Sequence, residues 1–173
     1  LSDLFTNTHC RLNHFGSILL QLQEVCPQIY PKKLKNIEVL VPHCLDNLAL
    51  IEKERVTITR NTTRLLSMWQ DCCLVQGYNP IYVIFSALYF TWKAAANVDR
   101  YKVGVKEFCS TVEIEFKPII NRQINRYFKI LRQFYRFSPL CLNDDELTMK
   151  NVAFKLPKML PIKNIILWRY KQW

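Results

Sequence analysis

Between Pro80 and Ala96 the chain runs for seventeen residues with a single charge, at Lys93. Few structures accept such a stretch. A helix that is apolar all round either crosses a membrane or is the middle of a bundle, since every side must be covered. This one opens on a proline, carries Ser86 and Thr91, and sits at the short limit for spanning. The reading adopted is a buried central helix, so the flanking sequence must supply amphipathic helices to wrap it. Composition agrees. Only three of 173 residues are glycine, which disfavours a glycine-rich phosphate cradle and a sheet full of tight turns. Half of the chain is apolar and 13% is aromatic, which excludes a disordered or fibrous chain. The fold class expected is all-α.

Helical spacing supplies the wrapping. Leu12, Phe15, Leu19 and Leu22 recur between Arg11 and Val25, and Pro27 stops that helix. A second begins near Pro31, with Leu34, Ile37 and Val41 inward, and Pro42 is expected to end or kink it. Residues 53–76 read as a long helix. Leu65, Leu66, Trp69, Cys72 and Cys73 form its wide face, with Gly77 at the C-terminal cap. Asn79 and Pro80 then suit the N-cap and first turn of the central helix. Trp69 and Trp92 are assigned to the core. A short helix follows from about Tyr101 to Ser110, with Val105, Phe108 and Cys109 inward, and Pro118 starts a long one reaching about Phe137. Asp144, Asp145 and Glu146 fit the first turn of a last helix, which should end before Pro157. The stretch from Leu160 to Trp173 is apolar, basic and aromatic with no clear periodic state, and its end, residues 168–173, fits a nucleic-acid or protein contact and a frayed end alike.

The seven cysteines (10, 26, 44, 72, 73, 109 and 141) are odd in number and form no C-x-x-C pair, so neither a disulfide framework nor a zinc ribbon is encoded. A reducing compartment is the default. His9, Cys10, His14, His43 and Cys44 have zinc-compatible residue types, but burial of the cysteines as small hydrophobes explains them better. No metal or cofactor is expected. Ser2-Asp3 and Asn7-Thr8-His9 interrupt the apolar run that a secretion signal needs. Lys32-Lys33-Leu34-Lys35 fits a short nuclear-import pattern and, more readily, the basic first turn of an amphipathic helix.

Charge is unevenly placed. The net charge is +10, of which residues 1–98 carry +2, 99–136 carry +5 and 137–173 carry +3. On the helix after Pro118, Ile120, Ile124, Tyr127, Leu131 and Phe134 recur at four-three-four-three spacing. Arg122, Arg126, Lys129, Gln133 and Arg136 repeat that spacing two residues later, which at about 100° per residue is the far side of the helix. No carboxylate side chain falls between Glu115 and Asp144 to offset the six cations there. A line of Arg and Lys on one face suits a line of phosphates. The short helix, the turn at residues 112–116 and the basic helix form a helix-turn-helix-like succession, with a long turn that contains no glycine.

The strings CLVQGYNPIYVIFSALYFTWKAAANVDR (73–100) and VKEFCSTVEIE (105–115) resemble the second cyclin-like repeat of TFIIB-type general transcription factors. Within that family the chain resembles the type-two TFIIB-related factors of the RNA polymerase III apparatus. Leu74, Val75, Gly77, Pro80, Ala87, Trp92, Asp99, Arg100, Phe108 and Cys109 stand at matching places. The resemblance implies a cyclin-like helical bundle, with residues 1–52 as the C-terminal part of a first repeat and 53–173 as a second repeat with a basic tail. It implies a non-enzymatic, nuclear initiation factor. Such a factor recognises the TATA-binding protein on promoter DNA and helps to recruit the RNA polymerase machinery, with no membrane role. The DNA-binding residues it implies are Lys106, Lys117, Asn121, Arg122, Asn125 and Arg126, to which the cationic spacing adds Lys129, all acting mainly on phosphates. No counterpart of the family's zinc ribbon, of most of its first repeat or of its C-terminal anchor is found. That fits a fragment or isoform, or a diverged protein that kept the fold and lost the activity.

A cyclin-like protein-binding module without DNA binding, such as a kinase regulatory subunit, is the alternative. An enzyme has little support, because no nucleophile and base, or metal cluster, stand at working spacings.

Overall fold

The central apolar helix is the hub of the structure. The computed structural model describes residues 40–46, 48, 50–72, 74–75, 79–95, 100–141 and 146–172. Its helices are α1 (Val41–Leu45), α2 (Glu52–Asp71), α3 (Pro80–Ala95), α4 (Val105–Thr111), α5 (Pro118–Phe137), α6 (Val152–Met159) and α7 (Lys163–Gln172). Single 3-10 turns stand at Arg100–Lys102 and Leu160–Ile162, and no strand occurs among the described residues. Every residue of α3 from Val83 to Lys93 is buried. The hub is covered by α2, α5 and α6, while α7 packs on α5. No described helix is long and apolar enough to cross a membrane.

Aromatic and polar joints lock the helices to the hub. Thr62 on α2 and Thr91 on α3 share a buried hydroxyl hydrogen bond of 2.7 Å. Phe108 of α4 sits among Phe85, Tyr89 and Trp92 of α3, with ring centroids 5.1, 5.3 and 5.1 Å away. Each such pair adds about 0.5–1.5 kcal/mol beyond its area burial. Trp69 stacks on Tyr127 at 4.1 Å and so ties α2 to α5. Both predicted core tryptophans, Trp69 and Trp92, are buried. Lys93, the only charge of the hub, is 4% exposed. It donates to the Val103 carbonyl at 3.1 Å and to the Tyr89 hydroxyl at 3.3 Å, and burial lowers its pKa. Tyr89 donates to that same carbonyl at 3.1 Å, so two polar groups of the hub fix the chain just before α4.

Several boundaries follow the sequence expectation. Asn79 caps α3 by accepting the Ile81 N–H at 3.0 Å, and α5 runs from Pro118 to Phe137. Others differ. Helix α2 ends at Asp71, not near residue 76, and its end is closed by the Leu74 N–H donating to the Trp69 carbonyl at 2.9 Å. That six-to-one bond is the Schellman closure, and Gly77 lies outside the described residues. Pro42 sits in the first turn of α1, where a missing N–H is harmless, and the helix it is expected to end or kink lies outside the described residues. The helix predicted from Tyr101 is a 3-10 turn followed by α4.

The largest difference is at the carboxyl end. Glu146 precedes the last helix rather than sitting in its first turn, while Asp144 and Asp145 lie outside the described residues. The start is made instead by Thr148 and Asn151. The Asn151 N–H donates to Thr148 Oγ1 at 3.2 Å and the Thr148 N–H donates to Asn151 Oδ1 at 2.7 Å, a reciprocal capping box. Helix α6 then passes through Pro157 and continues through the 3-10 turn into α7. An interior proline costs about 3 kcal/mol. Burial of Leu156, Met159, Leu160, Ile166 and Leu167 on the inner side offsets it, at about 1.5–3 kcal/mol for each fully buried large apolar side chain. The first described residue is Leu40, so the readings for residues 1–39 and the nuclear-import pattern lie outside the described residues. The same holds for His9, Cys10, His14 and the His43 side chain, and the described residues hold no group of three or more metal-ligand side chains.

Candidate nucleic-acid interface

Most of the candidate residues lie on α5, whose two faces separate as the spacing predicts. Ile120, Ile124, Tyr127, Leu131 and Phe134 are all buried. Asn121, Arg122, Asn125, Lys129, Gln133 and Arg136 are exposed, while Arg126 is half-buried at the margin. Burial pushes the Tyr127 phenol up to about 12, an effect partly opposed by the neighbouring Arg126 charge. Asn125 Nδ2 donates to Asn121 Oδ1 at 3.5 Å, one turn apart. The first turn of α5 holds no acidic residue, so no carboxylate within that turn offsets the positive end of the helix dipole.

The turn into α5 has a definite conformation. Glu113 has a φ of 57°, the left-handed region. The Ile114 N–H donates to the Cys109 carbonyl at 2.9 Å and the Glu113 N–H to the Ser110 carbonyl at 3.2 Å. This is a Schellman motif with glutamate at the position usually held by glycine. Lys117 is exposed before Pro118 and pairs with Glu115 at 3.3 Å. Lys106 is exposed on α4, and among the described residues no hydrogen bond or ion pair links it to α5.

The cationic face is shorter than the spacing suggests. Glu146 places one oxygen 2.8 Å from Arg132 and the other 3.6 Å from Arg136. The carboxyl-terminal end of α5 is thereby offset by a residue ten positions beyond Arg136 in the chain. Among the described residues no carboxylate pairs with Arg122 or Lys129. The Arg122-Gln123 pair also divides. Arg122 is exposed, whereas Gln123 is half-buried with an Oε1 that has no hydrogen-bond partner. Sequence reasoning missed Glu146 because its partners stand 14 and 10 residues away, and missed the Glu113 turn because no glycine marks it.

A central helix enclosed by its neighbours, followed by a short helix, a turn and a long two-faced helix, defines the class as a cyclin-like repeat. Residues 42–163 match the family model described as "BRF2-like, C-terminal cyclin repeat". The chain belongs to that family, and so to the TFIIB-related, non-enzymatic transcription factors. A search of curated proteins finds no significant match.

Proposed function

We propose that the chain acts in transcription initiation in the nucleus, binding a complex of the TATA-binding protein with promoter DNA and helping to recruit an RNA polymerase, polymerase III in particular. Residues 1–52 are assigned to the end of a first repeat and 53–173 to the second. The observation that carries the reading is the amino-terminal half of the outer face of α5. There Arg122 and Lys129 have no carboxylate partner among the described residues, and Asn121 and Asn125 stand beside them. Lys106, Lys117 and Arg126 complete the contact set. The contacts are to phosphates, because exposed cations along a helix fix position without reading bases.

Gel retardation of TATA-containing DNA, with and without the TATA-binding protein, across a salt series tests this. Arg122→Glu with Lys129→Glu should weaken binding and reduce the salt slope by about 2, at roughly one unit per lost phosphate contact, with an unchanged melting temperature. Undiminished binding would remove α5 from the interface. No retardation by the parent protein even at low salt would favour a protein-binding module without DNA binding.

A further inference from the structure

The last helical segment is apolar on two sides. From Val152 to Gln172 the chain turns helically without interruption through α6, the 3-10 turn and α7. Its inner side holds Val152, Leu156, Met159 and Ile166, all buried. Tyr170 extends that side, edge-on to Phe134 at 5.0 Å and Phe137 at 5.6 Å. Two residues later the same four-three-four-three spacing gives Phe154, Lys158, Pro161, Ile165 and Trp168 on the opposite side. Phe154, Ile165 and Trp168 are 61%, 47% and 64% exposed.

Single exposed hydrophobic residues are ordinary on a protein surface, whereas a line of them on one face marks an interface. The line covers fourteen residues of rise, about 21 Å at 1.5 Å each, or four turns of a facing helix. At one end Phe154 rests on Tyr101 at 5.9 Å, and the Lys102 ammonium lies 5.4 Å from the Tyr101 ring. The charge along the segment has one sign. From Leu147 to Trp173 the sequence holds six cations and no carboxylate side chain.

We propose that this outer face docks an acidic amphipathic helix of a partner protein. The partner's apolar stripe lies over Phe154, Pro161, Ile165 and Trp168, and its carboxylates meet Lys158, Arg169 and Lys171. Charge complementarity selects an acidic occupant, and a narrow apolar stripe of helical pitch selects a helix. A second copy of this basic chain would be repelled. Duplex DNA gains nothing from an apolar stripe. A bilayer surface asks for a broad apolar face, and here Lys158 stands within the line while the other side is held in the core. None of the α5 residues assigned to DNA takes part.

The test is calorimetric titration of the full chain with a designed peptide of about 18 residues, long enough to cover the line, with leucines on one face and glutamates flanking them. Saturable one-to-one binding is expected. Ile165→Ser with Trp168→Ser should weaken it by about tenfold or more, as loss of two interface anchors does, and Lys158→Glu with Lys171→Glu should weaken it similarly. Both variants should melt like the parent, and a peptide with lysines in place of the glutamates should not bind. The proposal is overturned by an absence of binding to the acidic peptide or by equal affinity of the serine variant. It is equally overturned if that variant instead loses binding to anionic phospholipid vesicles or to DNA.

Discussion

Helix α5 and the segment Val152–Gln172 share an inner rhythm and differ on the outside. Each buries residues at helical spacing, unbroken on α5 and interrupted at Lys163 on the last segment, and Phe134 of one meets Tyr170 of the other at 5.0 Å. Two residues further along, α5 presents Arg122, Lys129 and Arg136, whereas the last segment presents Phe154, Ile165 and Trp168. The inner pattern sets the fold, because only it removes apolar area from water. The outer pattern is free of that constraint: it is cationic on the first helix and carries exposed apolar residues on the last.

The largest expected effect separates inside from outside. Phe134→Ala should destabilise the protein by about 3–5 kcal/mol, through lost burial plus the cavity left under Tyr170. Trp168→Ala, although it removes a larger side chain, should change stability by no more than about 0.5 kcal/mol. Urea unfolding of the two variants decides the matter. A large loss in Trp168→Ala would mean that the outer side is part of the core, and the distinction between faces would fail.

That distinction was legible on α5 because its two faces differ in chemistry, so one period reveals both. On the last segment it was not, because apolar residues on both sides cancel the periodic contrast. Pro157 added a false stop there, which packing of Leu156 and Met159 overrides. The hub, Asn79 and Pro80 were readable since they depend on adjacent residues. Glu146 bridging Arg132 and Arg136 depends on how the chain returns, which no local pattern encodes.

Alkaline pH tests the buried phenols of the inner faces. Burial holds the phenols of Tyr89 and Tyr127 up at about 12 from an ordinary value of 10. The unfolded chain therefore loses these protons first, and stability falls between pH 10 and 12, by up to about 2–3 kcal/mol per tyrosine. Lys93 acts in the opposite sense. Its ammonium is disfavoured by burial, so its contribution rises with pH up to about 10.5, where the unfolded chain also becomes neutral there. Tyr127→Phe should flatten the fall above pH 10 in chemical denaturation, at a loss near neutrality of about 1 kcal/mol for the hydrogen bond to the Leu74 carbonyl. An unchanged slope would show that the α5 tyrosine is not buried as described.

The two helices also begin differently, and smaller effects follow. The last segment relies on its capping box, so Thr148→Ala should lower stability by about 1 kcal/mol, measured by thermal melting, and should weaken the acidic-peptide interaction only as far as α6 frays. A neutral Thr148→Ala would mean that packing alone sets the start.

Helix α5 begins after a strained turn. Glu113 holds a left-handed backbone that costs an ordinary residue about 1–2 kcal/mol, while glycine there would add unfolded-state entropy of about 0.4–1 kcal/mol. Glu113→Gly should therefore stabilise the protein by a net of about 0.5 kcal/mol, or roughly 1–2 °C in melting temperature. Glu113→Gln keeps the strain and should leave the melting temperature unchanged. Both remove a carboxylate from the turn that leads into the cationic face of α5, so both should tighten DNA binding slightly at low salt and lose that gain as salt screens it. Stabilisation by glycine without tighter binding would place Glu113 away from the phosphates. Tighter binding by both variants would extend the cationic face of α5 back across the turn, towards Lys117 and Lys106.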